Sequence, residues 1–171
     1  MVFLPPYNTA VRRYPIDMDG LIVRLAQPQD ARDIAEMFHS LWPDSTVEEH
    51  SSEVTSSLTV RDRGPLPSAI LVAVDAKGRL FGFVEVDLRS HADGCDPKRP
   101  VAFIEGWYVA PALRRRRIGA QLIAAAEDWG RSQGCIEMAS DTWLDNVDSQ
   151  SAHQALGFEI VDRCVHYRKD L

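Results

Sequence analysis

The sequence predicts a mixed α/β fold with one central, mostly antiparallel sheet flanked by helices. Short apolar runs typical of strands alternate with amphipathic stretches typical of helices. The turn Asp75-Ala76-Lys77-Gly78 joins two of the strand-like runs and is a hairpin signal. The predicted order of elements is β-α-α-β-β-β-α-β-α-β, which suits a sheet covered by helices. With 171 residues, of which 45% are hydrophobic and 26% charged, the chain has the size and composition of one globular domain.

In the first half of the chain, residues 1–20 contain three prolines and are expected to form an irregular N-terminal extension, with a single domain over 21–171. The first strand is predicted at 21–25. Pro28 and Asp30 then open an amphipathic helix. Trp42-Pro43-Asp44 ends this helix, and a second one follows over about 47–58. Two strands are expected at 69–74 and 80–88.

In the second half, residues 101–109 are almost entirely apolar and predict a buried strand. A long helix is expected from about 116 to 133, closed by Gly134. A short strand at 136–139, a helix at 147–156 and a last strand or strand pair over 158–168 complete the chain.

Composition excludes several classes of protein. The formal net charge of -6 argues against general binding to nucleic acid or anionic membranes. No apolar run approaches the roughly 18 residues of a membrane span, and residues 1–20 lack the hydrophobic region of a secretory signal. The three cysteines show no CxxC spacing and are interpreted as reduced cytosolic thiols, and the five histidines show no metal-binding arrangement, so no metal is predicted.

Arg114 to Arg117 directly precede a helix that begins Ile118-Gly119-Ala120. Backbone N–H groups of a tight turn and of a helix N-terminus converge on one point, where the helix dipole favours an anion. Four arginines can equally form a solvated face or a nucleic-acid patch. The run is short, the chain is acidic, and an apolar helical stripe follows at once. A diphosphate-bearing cofactor is therefore the favoured ligand.

These motifs resemble the GCN5-related N-acetyltransferase superfamily, which binds acetyl-CoA through an Arg/Gln-x-x-Gly-x-Gly/Ala loop. Within it, the sequence is similar to the aminoglycoside 6'-N-acetyltransferases over roughly residues 21–171. Arg117 departs from the loop pattern, because it stands at the first glycine, where a positive φ would strain a side chain. The segments that indicate the aminoglycoside subgroup are Leu41-Trp42-Pro43-Asp44, Phe103-Ile104-Glu105-Gly106, Met138-Ala139-Ser140-Asp141-Thr142, Ser149-Gln150, His153-Gln154-Ala155-Leu156-Gly157-Phe158 and Tyr167-Arg168-Lys169.

The resemblance implies a GNAT-like fold and an enzyme that transfers an acetyl group from acetyl-CoA to the 6'-amine of an aminoglycoside, by direct attack of the amine on the thioester, and so confers resistance. It also implies a cytoplasmic homodimer with no nucleic-acid or membrane partner. Two alternatives remain open: acetylation of another polyamine or a peptide amine, and a CoA-binding module without turnover.

Glu105 lies inside an otherwise apolar strand, where a carboxylate is costly unless it has a task or a partner. It is the first candidate for binding the amine and for acting as its base, directly or through a water. The alternative is a structural charge paired to an arginine. Gly106 beside it permits a bulge or splay that would free backbone N–H groups of Trp107 to Val109 for the acetyl carbonyl.

Asp141 follows the short strand at 136–139 and is a candidate to bind a second ammonium or to share the base role; it could equally be a helix N-cap. The resemblance implies that Asn146 hydrogen-bonds the pantetheine arm and that His153, in place of the family's tyrosine, protonates the leaving thiolate. His153 could instead be a surface residue of its helix, with the thiolate leaving unassisted.

The resemblance also places Trp42 and Asp162 at positions where the family contacts its substrate, although an isolated aromatic residue at a helix end is more often core. His91, with Asp93 and Asp96, is a candidate for the rim of the substrate site, whereas His39, His50 and His166 are interpreted as structural. The residues predicted to bind the cofactor are Trp107, Tyr108, Val109, Arg114, Arg115, Arg116, Arg117, Ile118, Gly119, Ala120 and Asn146.

Overall fold

A computed structural model describes residues 20–59 and 66–170, so the predicted N-terminal extension lies almost wholly outside the described residues. The described chain forms five strands and four helices, with one-turn 3₁₀ segments before α1 and after β4. The strands are β1 (Ile22–Leu25), β2 (Ser68–Val74), β3 (Leu80–Arg89), β4 (Val101–Val109) and β5 (Met138–Ser140). The helices are α1 (Ala31–Leu41), α2 (Val47–Thr59), α3 (Ile118–Ser132) and α4 (Val147–Ala155).

The five strands form one sheet in the order β1-β2-β3-β4-β5, so neighbours in sequence are neighbours in space. The first four strands are antiparallel, as predicted. β5 runs parallel to β4, and α3 supplies the crossover that a parallel pair requires. The predicted mixed fold with a mostly antiparallel central sheet is confirmed.

Each face of the sheet packs on its own helices. One face meets α3, with Leu122, Ile123 and Ala126 buried against side chains of β2, β3 and β4. The other face meets α1 and α2, with Ile34 and Val54 buried against Phe83. The sheet is therefore a layer between helices, and a polar residue on either face is out of keeping with its neighbours.

The turn between β1 and α1 is fastened by an ion pair. Arg24 donates from Nη1 and Nη2 to the two carboxylate oxygens of Asp30, at 2.6 and 3.0 Å, and the backbone N–H of Gln27 donates to the same carboxylate at 2.8 Å. Asp30 is 4% exposed. Burial raises the pKa of Asp30, but the hydrogen bonds from Arg24 and Gln27 and the charge of Arg24 outweigh it and lower the pKa from its ordinary value.

The predicted last strand or strand pair over 158–168 is wrong. Residues 158–170 form no strand, and apart from Phe158, which is half-buried against the core under α3, their apolar side chains are exposed, with Tyr167 reaching 93%. A strand needs a partner for its backbone groups, and β5, the nearest edge of the sheet in sequence, pairs with β4 alone among the described residues. Residues 158–168 therefore have a sequence typical of a strand but pair with no strand of the described chain.

In the described part of the chain, no helix is long and apolar enough to cross a membrane. No group of three or more His, Cys, Asp or Glu side chains within residues 20–59 and 66–170 is arranged to hold a metal ion. Cys95, Cys135 and Cys164 are free thiols. Burial raises the pKa of the Cys135 thiol, and burial together with the charge of Glu137 raises that of Cys95.

We expect Asp30→Asn to lower the free energy of unfolding by about 1–3 kcal/mol at pH 7, because the substitution leaves a partly buried guanidinium without its charge partner. Since the folded-state pKa of Asp30 is lowered, its contribution is present above the unfolded value of about 3.9 and is lost as the pH falls through the folded value. Urea denaturation at pH 7 and at pH 3 should therefore show a deficit that shrinks in acid. Glu36→Gln, which breaks an exposed pair with Arg32, is the control and should cost about 0–1 kcal/mol. Equal stability of Asp30→Asn and the parent at pH 7 would contradict the assignment.

Candidate active site

β4 contains a bulge at Glu105. In the pairing of β3 with β4, Glu85 pairs with Gly106 and Val86 pairs with Ile104. Glu105 is therefore the extra residue, with no paired residue on β3. This agrees with the expectation that Gly106 accompanies a bulge. An extra residue in one strand re-aims the side chains that follow it.

The effect of the bulge is visible in which face each side chain reaches. Before it, the even-numbered Ala102 and Ile104 pack in the core under α3. After it, the odd-numbered Trp107 and Val109 pack on that side. Tyr108 packs on the opposite face with Phe83. The bulge therefore releases the Glu105 side chain from the alternation that would otherwise bury it.

β4 and β5 separate just beyond the bulge. Their pairing joins Ala102 to Met138, Phe103 to Ala139 and Ile104 to Ser140, and it stops there. Glu105 and Asp141 are the next residues on the two strands. The edge of β4 beyond this point has no strand partner within residues 66–170, which leaves a gap lined by backbone N–H and C=O groups of the second half of β4.

Trp42, at the C-terminal end of α1, lies over Gly106. A Cβ atom added to Gly106 would collide with the six-membered ring of Trp42 and would come within 3.2 Å of Phe83. Trp42 also meets Phe38 edge to face, with ring centroids 5.0 Å apart, and is 37% exposed. Glycine at position 106 thus allows an aromatic ring to reach the backbone beside Glu105.

Two histidines hold the turn that carries Trp42. The buried His50 contacts the Trp42 carbonyl oxygen through Nε2 at 3.0 Å, and His39 contacts the Ser45 carbonyl oxygen through Nδ1 at 2.8 Å. Both contacts fix the Trp42–Ser45 turn from neighbouring helices. The structural interpretation of His39 and His50 agrees with this geometry.

The carboxylate of Glu105 is paired to Arg89, the last residue of β3. Arg89 donates from Nε to Oε1 at 2.8 Å and from Nη2 to Oε2 at 2.6 Å, a bidentate pair. The carbon at the centre of the guanidinium lies 3.4 Å from the centroid of the Phe103 ring. The arginine pairing weighed as the alternative for Glu105 therefore exists, although both partners remain partly exposed.

Sequence reasoning missed two further carboxylates on this face. Val84 and Val86 of β3 pack on the α3 side, so Glu85 and Asp87 belong to the opposite face, with Phe83. Both are half-buried. The signal was the strict alternation Val84-Glu85-Val86-Asp87-Leu88-Arg89 in a strand covered by helices on both sides, where one face should not be polar.

The arginine run forms a turn of unusual backbone geometry. Arg115 and Arg117 have φ of 62° and 64°, in the left-handed region, and Arg117 stands immediately before the first residue of α3. The strain expected for Arg117 is therefore present, and it extends to Arg115; such residues cost about 1–2 kcal/mol each. Left-handed residues in a turn direct successive N–H groups to one side, and the N-terminus of α3 adds its own.

Gly119 is needed for packing. A Cβ atom there would lie 2.7 Å from the indole of Trp107, because that ring occupies the space that a side chain at position 119 would need. Trp107 in turn meets His153 edge to face, at 5.4 Å between centroids. Of the residues predicted to bind the cofactor, Ile118 has a buried side chain and Tyr108 stacks on Phe83, so these two offer backbone groups rather than side chains.

His153 connects α4 to the end of β5. Its Nδ1 lies 2.8 Å from the carbonyl oxygen of Ser149, which fixes Nδ1 as a donor, and its Nε2 lies 3.0 Å from Oγ of Ser140. Oγ of Ser140 lies 3.4 Å from the Ile104 carbonyl oxygen. In the neutral ring Nε2 accepts from Ser140; in the charged ring Nε2 donates to Ser140, which donates onward to Ile104. The network accommodates both states.

Asn146 and Asp141 lie in the segment that joins β5 to α4. Asn146 is the N-cap of α4, and its Oδ1 accepts from the Ser149 N–H at 3.1 Å. A pantetheine contact would therefore use its Nδ2. Asp141 is exposed, one residue after β5, and is not the cap.

Among the described contacts, His91 and Asp162 each interact with a sequence neighbour. Nδ1 of His91 meets Oγ of its neighbour Ser90, and Asp162 accepts from the N–H of its neighbour Arg163. The C-terminal segment does approach the loop between β3 and β4, because Val161 fills the space beside Gly94. The structure therefore brings Trp42, Glu105 and Gly106 together, whereas the described contacts of His91 and Asp162 are with their own sequence neighbours.

The acetyltransferase (GNAT) family model matches residues 33–158, and the chain belongs to that family.

Its relatives include a more particular group. The chain is 43% identical over 150 residues to the aminoglycoside N(6')-acetyltransferase type 1 of Klebsiella aerogenes, covering 88% of this chain and 97% of that one. The corresponding protein of Stenotrophomonas maltophilia is 38% identical over 149 residues, covering 87% and 93%. The solved structure of aminoglycoside N-acetyltransferase AAC(6')-Iy in complex with CoA matches with a TM-score of 0.78 and 35% identity, covering 88% and 95%. The resemblance stated from the sequence is confirmed.

We expect Gly106→Ala to push Trp42 off the strand, because the added methyl group collides with the indole ring. Overpacking of this kind costs about 1–3 kcal/mol in the free energy of unfolding. The measurement is a double-mutant cycle by urea denaturation with Trp42→Ala. Gly106→Ala should cost clearly less in the Trp42→Ala background, and an equal cost in both backgrounds would contradict the contact.

Proposed function

We propose that this protein transfers the acetyl group of acetyl-CoA to the 6'-amine of an aminoglycoside antibiotic and so confers resistance. The single observation behind this proposal is the bulge at Glu105, beside which Gly106 admits the ring of Trp42, so that a carboxylate and an aromatic ring lie where the pairing of β4 with β5 stops. A polycationic sugar suits that face, because carboxylates attract its ammonium groups and a flat aromatic ring suits a sugar's apolar side. The activities of the named relatives support the same substrate.

The chemical task is to present an uncharged amine to a thioester. For an amine with a pKa of about 9, deprotonation at pH 7 costs about 2.7 kcal/mol. Glu105 binds the ammonium, and the proton leaves to Glu105, directly or through a water, or to Asp141. Both oxygens of Glu105 accept a hydrogen bond from Arg89, so the proton goes either to a lone pair that these bonds leave free or to an oxygen that Arg89 vacates when it moves.

Acetyl-CoA supplies the acetyl group, and the residues of the anion turn fit its diphosphate. The left-handed Arg115 and Arg117 and the N-terminus of α3 direct N–H groups to one side, surrounded by four exposed arginines. Within residues 107–109 the backbone N–H groups alternate between β3 and the unpaired edge of β4, and those at the unpaired edge would stabilise an oxyanion as the amine attacks. Nδ2 of Asn146 is positioned to donate to the pantetheine arm.

His153 is the proposed acid for the leaving thiolate. Its Nε2 faces Ser140 at the end of β5, 3.0 Å from the serine Oγ. The proton passes from Nε2 directly or through the Ser140 hydroxyl. Trp42, His91 and Asp162 complete the proposed substrate site, the last two at its rim.

The alternatives keep the same machinery. Another polyamine or a peptide amine would satisfy the same carboxylates, and the aminoglycoside is preferred on the relatives' activities and on Trp42. A CoA-binding module without turnover is disfavoured, because it would have no use for the half-buried carboxylates of β3 and β4.

We further propose a cytoplasmic homodimer. The unpaired thiols support the location. The exposed apolar residues Val161, Val165 and Tyr167, in a β-type segment that pairs with no strand of its own described chain, support a second copy as their partner. In sedimentation equilibrium the protein should have about twice the 19.2 kDa mass of one chain, and Val165→Asp should shift it to the monomer; a parent protein that sediments as a monomer would exclude the dimer.

Kanamycin-type substrates with a free 6'-amine should be acetylated, whereas analogues with a 6'-hydroxyl should not, because the proposed site presents an amine. Thiol release from acetyl-CoA measures turnover, and NMR of the product locates the acetyl group. Turnover of the 6'-hydroxyl analogue at an equal rate, with acetylation elsewhere, would reject the regiochemistry.

Glu105→Gln should lower kcat/KM by about 10²-fold or more, because it removes both the charge that holds the ammonium and a proton acceptor. Acetyl-CoA binding, measured by calorimetry, should hardly change. Glu127→Gln, on the surface of α3, is the control. A Glu105→Gln variant with kcat/KM near that of the parent would remove Glu105 from the mechanism.

A further inference from the structure

Ser140 and His153 form a hydrogen-bonded pair at the inner end of the gap between β4 and β5. Oγ of Ser140 lies 3.0 Å from Nε2 of His153, and Ser140 is the residue at which the pairing of β5 with β4 stops. Both side chains are half-buried. A serine hydroxyl is a weak nucleophile until an adjacent base removes its proton, and a hydrogen-bonded imidazole is such a base.

The ring of His153 is held in the tautomer that this chemistry requires. Its Nδ1 lies 2.8 Å from the carbonyl oxygen of Ser149. A carbonyl oxygen can only accept, so Nδ1 carries the hydrogen of the neutral ring and Nε2 keeps a lone pair for the hydroxyl of Ser140. The Ser149 carbonyl is therefore the third, orienting group that a nucleophile and its base need.

Two aromatic rings fix the plane of the imidazole. Trp107 and Phe158 each meet His153 edge to face, with centroids 5.4 and 5.2 Å away and interplanar angles of 87° and 79°. These contacts restrict rotation of the ring, so that both of its nitrogens keep their partners. A base that is already oriented loses little freedom when it takes a proton.

The other contact of the serine hydroxyl is weaker. Oγ of Ser140 lies 3.4 Å from the Ile104 carbonyl oxygen, which is long for a hydrogen bond between two oxygens. His153 is therefore the main partner of Ser140. The competing interpretation gives this pair the structural task of joining α4 to β5, in which case the hydroxyl has no reactivity of its own.

We propose that Ser140 and His153 are a nucleophile and its base, with a second activity: they take an acyl group from a thioester or an activated ester and hydrolyse it. Nε2 of His153 takes the proton of Ser140 while Oγ attacks the acyl carbonyl carbon. The bond between that carbon and the leaving sulfur or oxygen breaks, and the leaving group receives the proton from Nε2. The product of this first step is an ester of Ser140.

Water completes the cycle. Nε2 of His153 takes a proton from a water molecule, whose oxygen attacks the acyl carbon of the ester. The bond from that carbon to Oγ breaks, Oγ regains the proton from Nε2, and a carboxylic acid is released. Thioesters and activated esters suit the pair, because their leaving groups are weak bases; a free thiol has a pKa of about 8.5.

This activity goes beyond the proposed acetylation of an aminoglycoside, in which the amine attacks the thioester directly. The two reactions use different states of one ring. His153 is a base in its neutral form here and an acid in its charged form there, and the hydrogen bonds at both nitrogens accommodate either state.

The experiment uses p-nitrophenyl acetate as the probe, without acetyl-CoA and without an amine. Release of nitrophenolate should fall by at least ~10-fold in Ser140→Ala and in His153→Gln, and by no more in the double variant, because the two groups act as a unit. Ser151→Ala is the matched control, because Ser151 is an exposed serine of α4 that donates to the Val147 carbonyl oxygen. It should release nitrophenolate at the rate of the parent.

A second probe identifies the nucleophile in the parent protein itself. Phenylmethylsulfonyl fluoride loses fluoride to an activated serine and leaves a stable sulfonyl ester, which peptide mass spectrometry should locate on Ser140. Prior labelling should abolish the release of nitrophenolate. Because this measurement needs no variant, it holds even where Ser140→Ala does not fold.

Equal release of nitrophenolate by the parent and a folded Ser140→Ala protein, or a sulfonyl group on other residues and none on Ser140, would overturn the inference. The proposed function is assayed separately, by thiol release from acetyl-CoA with a kanamycin-type substrate. A parent that acetylates no aminoglycoside but carries the sulfonyl group on Ser140 would refute the proposed function and support the second activity. The reverse result would refute the second activity alone.

Discussion

The site depends on one extra residue in β4. In a strand covered by helices on both faces a carboxylate is costly, because the side chains on each face pack into an apolar core. The bulge suspends that alternation at Glu105, and the next residue, Gly106, has no side chain to block Trp42. From there on, the odd-numbered residues face α3, which carries Trp107 over Gly119 and beside His153. The turn of Trp107 towards α3 and the position of Trp42 over Gly106 are thus two consequences of a single insertion.

Backbone strain from positive φ angles lies in the turn between β4 and α3. In the described chain the non-glycine residues with positive φ are Arg115 and Arg117, and both lie in the turn that precedes α3. Left-handed arginines persist where the surrounding structure over-determines them and where the strained turn does something a relaxed one would not. Here the turn gathers N–H groups and positive charge, an arrangement that suits an anion, and the buried start of α3, at Ile118, anchors the turn.

Most of the fold could be predicted, because the spacing of apolar residues in the sequence distinguishes strands from helices. The strands at 69–74 and 80–88 and the helix at 147–156 lie within a residue or two of β2, β3 and α4. The prediction of a strand at 158–168 was wrong. The apolar pattern of a segment indicates which side chains it can bury, but it does not show whether another strand is available to pair with it. Within the site, Glu105 was visible as a charge in an apolar run. Its bond to Arg89 was not, because the two residues lie 16 positions apart and meet through the antiparallel pairing of β3 with β4.

The central claim is that the bulge divides the site into an amine-binding face and an acetyl-CoA-binding gap. Amide chemical-shift mapping on the ¹⁵N-labelled protein tests this most directly. Addition of CoA should shift the amides of residues 107–109 and 115–120 most, whereas a kanamycin-type aminoglycoside should shift the Trp42 indole and the amides of Glu85, Asp87 and Glu105. Strongest CoA shifts on β1 and α2, or identical shift patterns for the two ligands, would contradict the account.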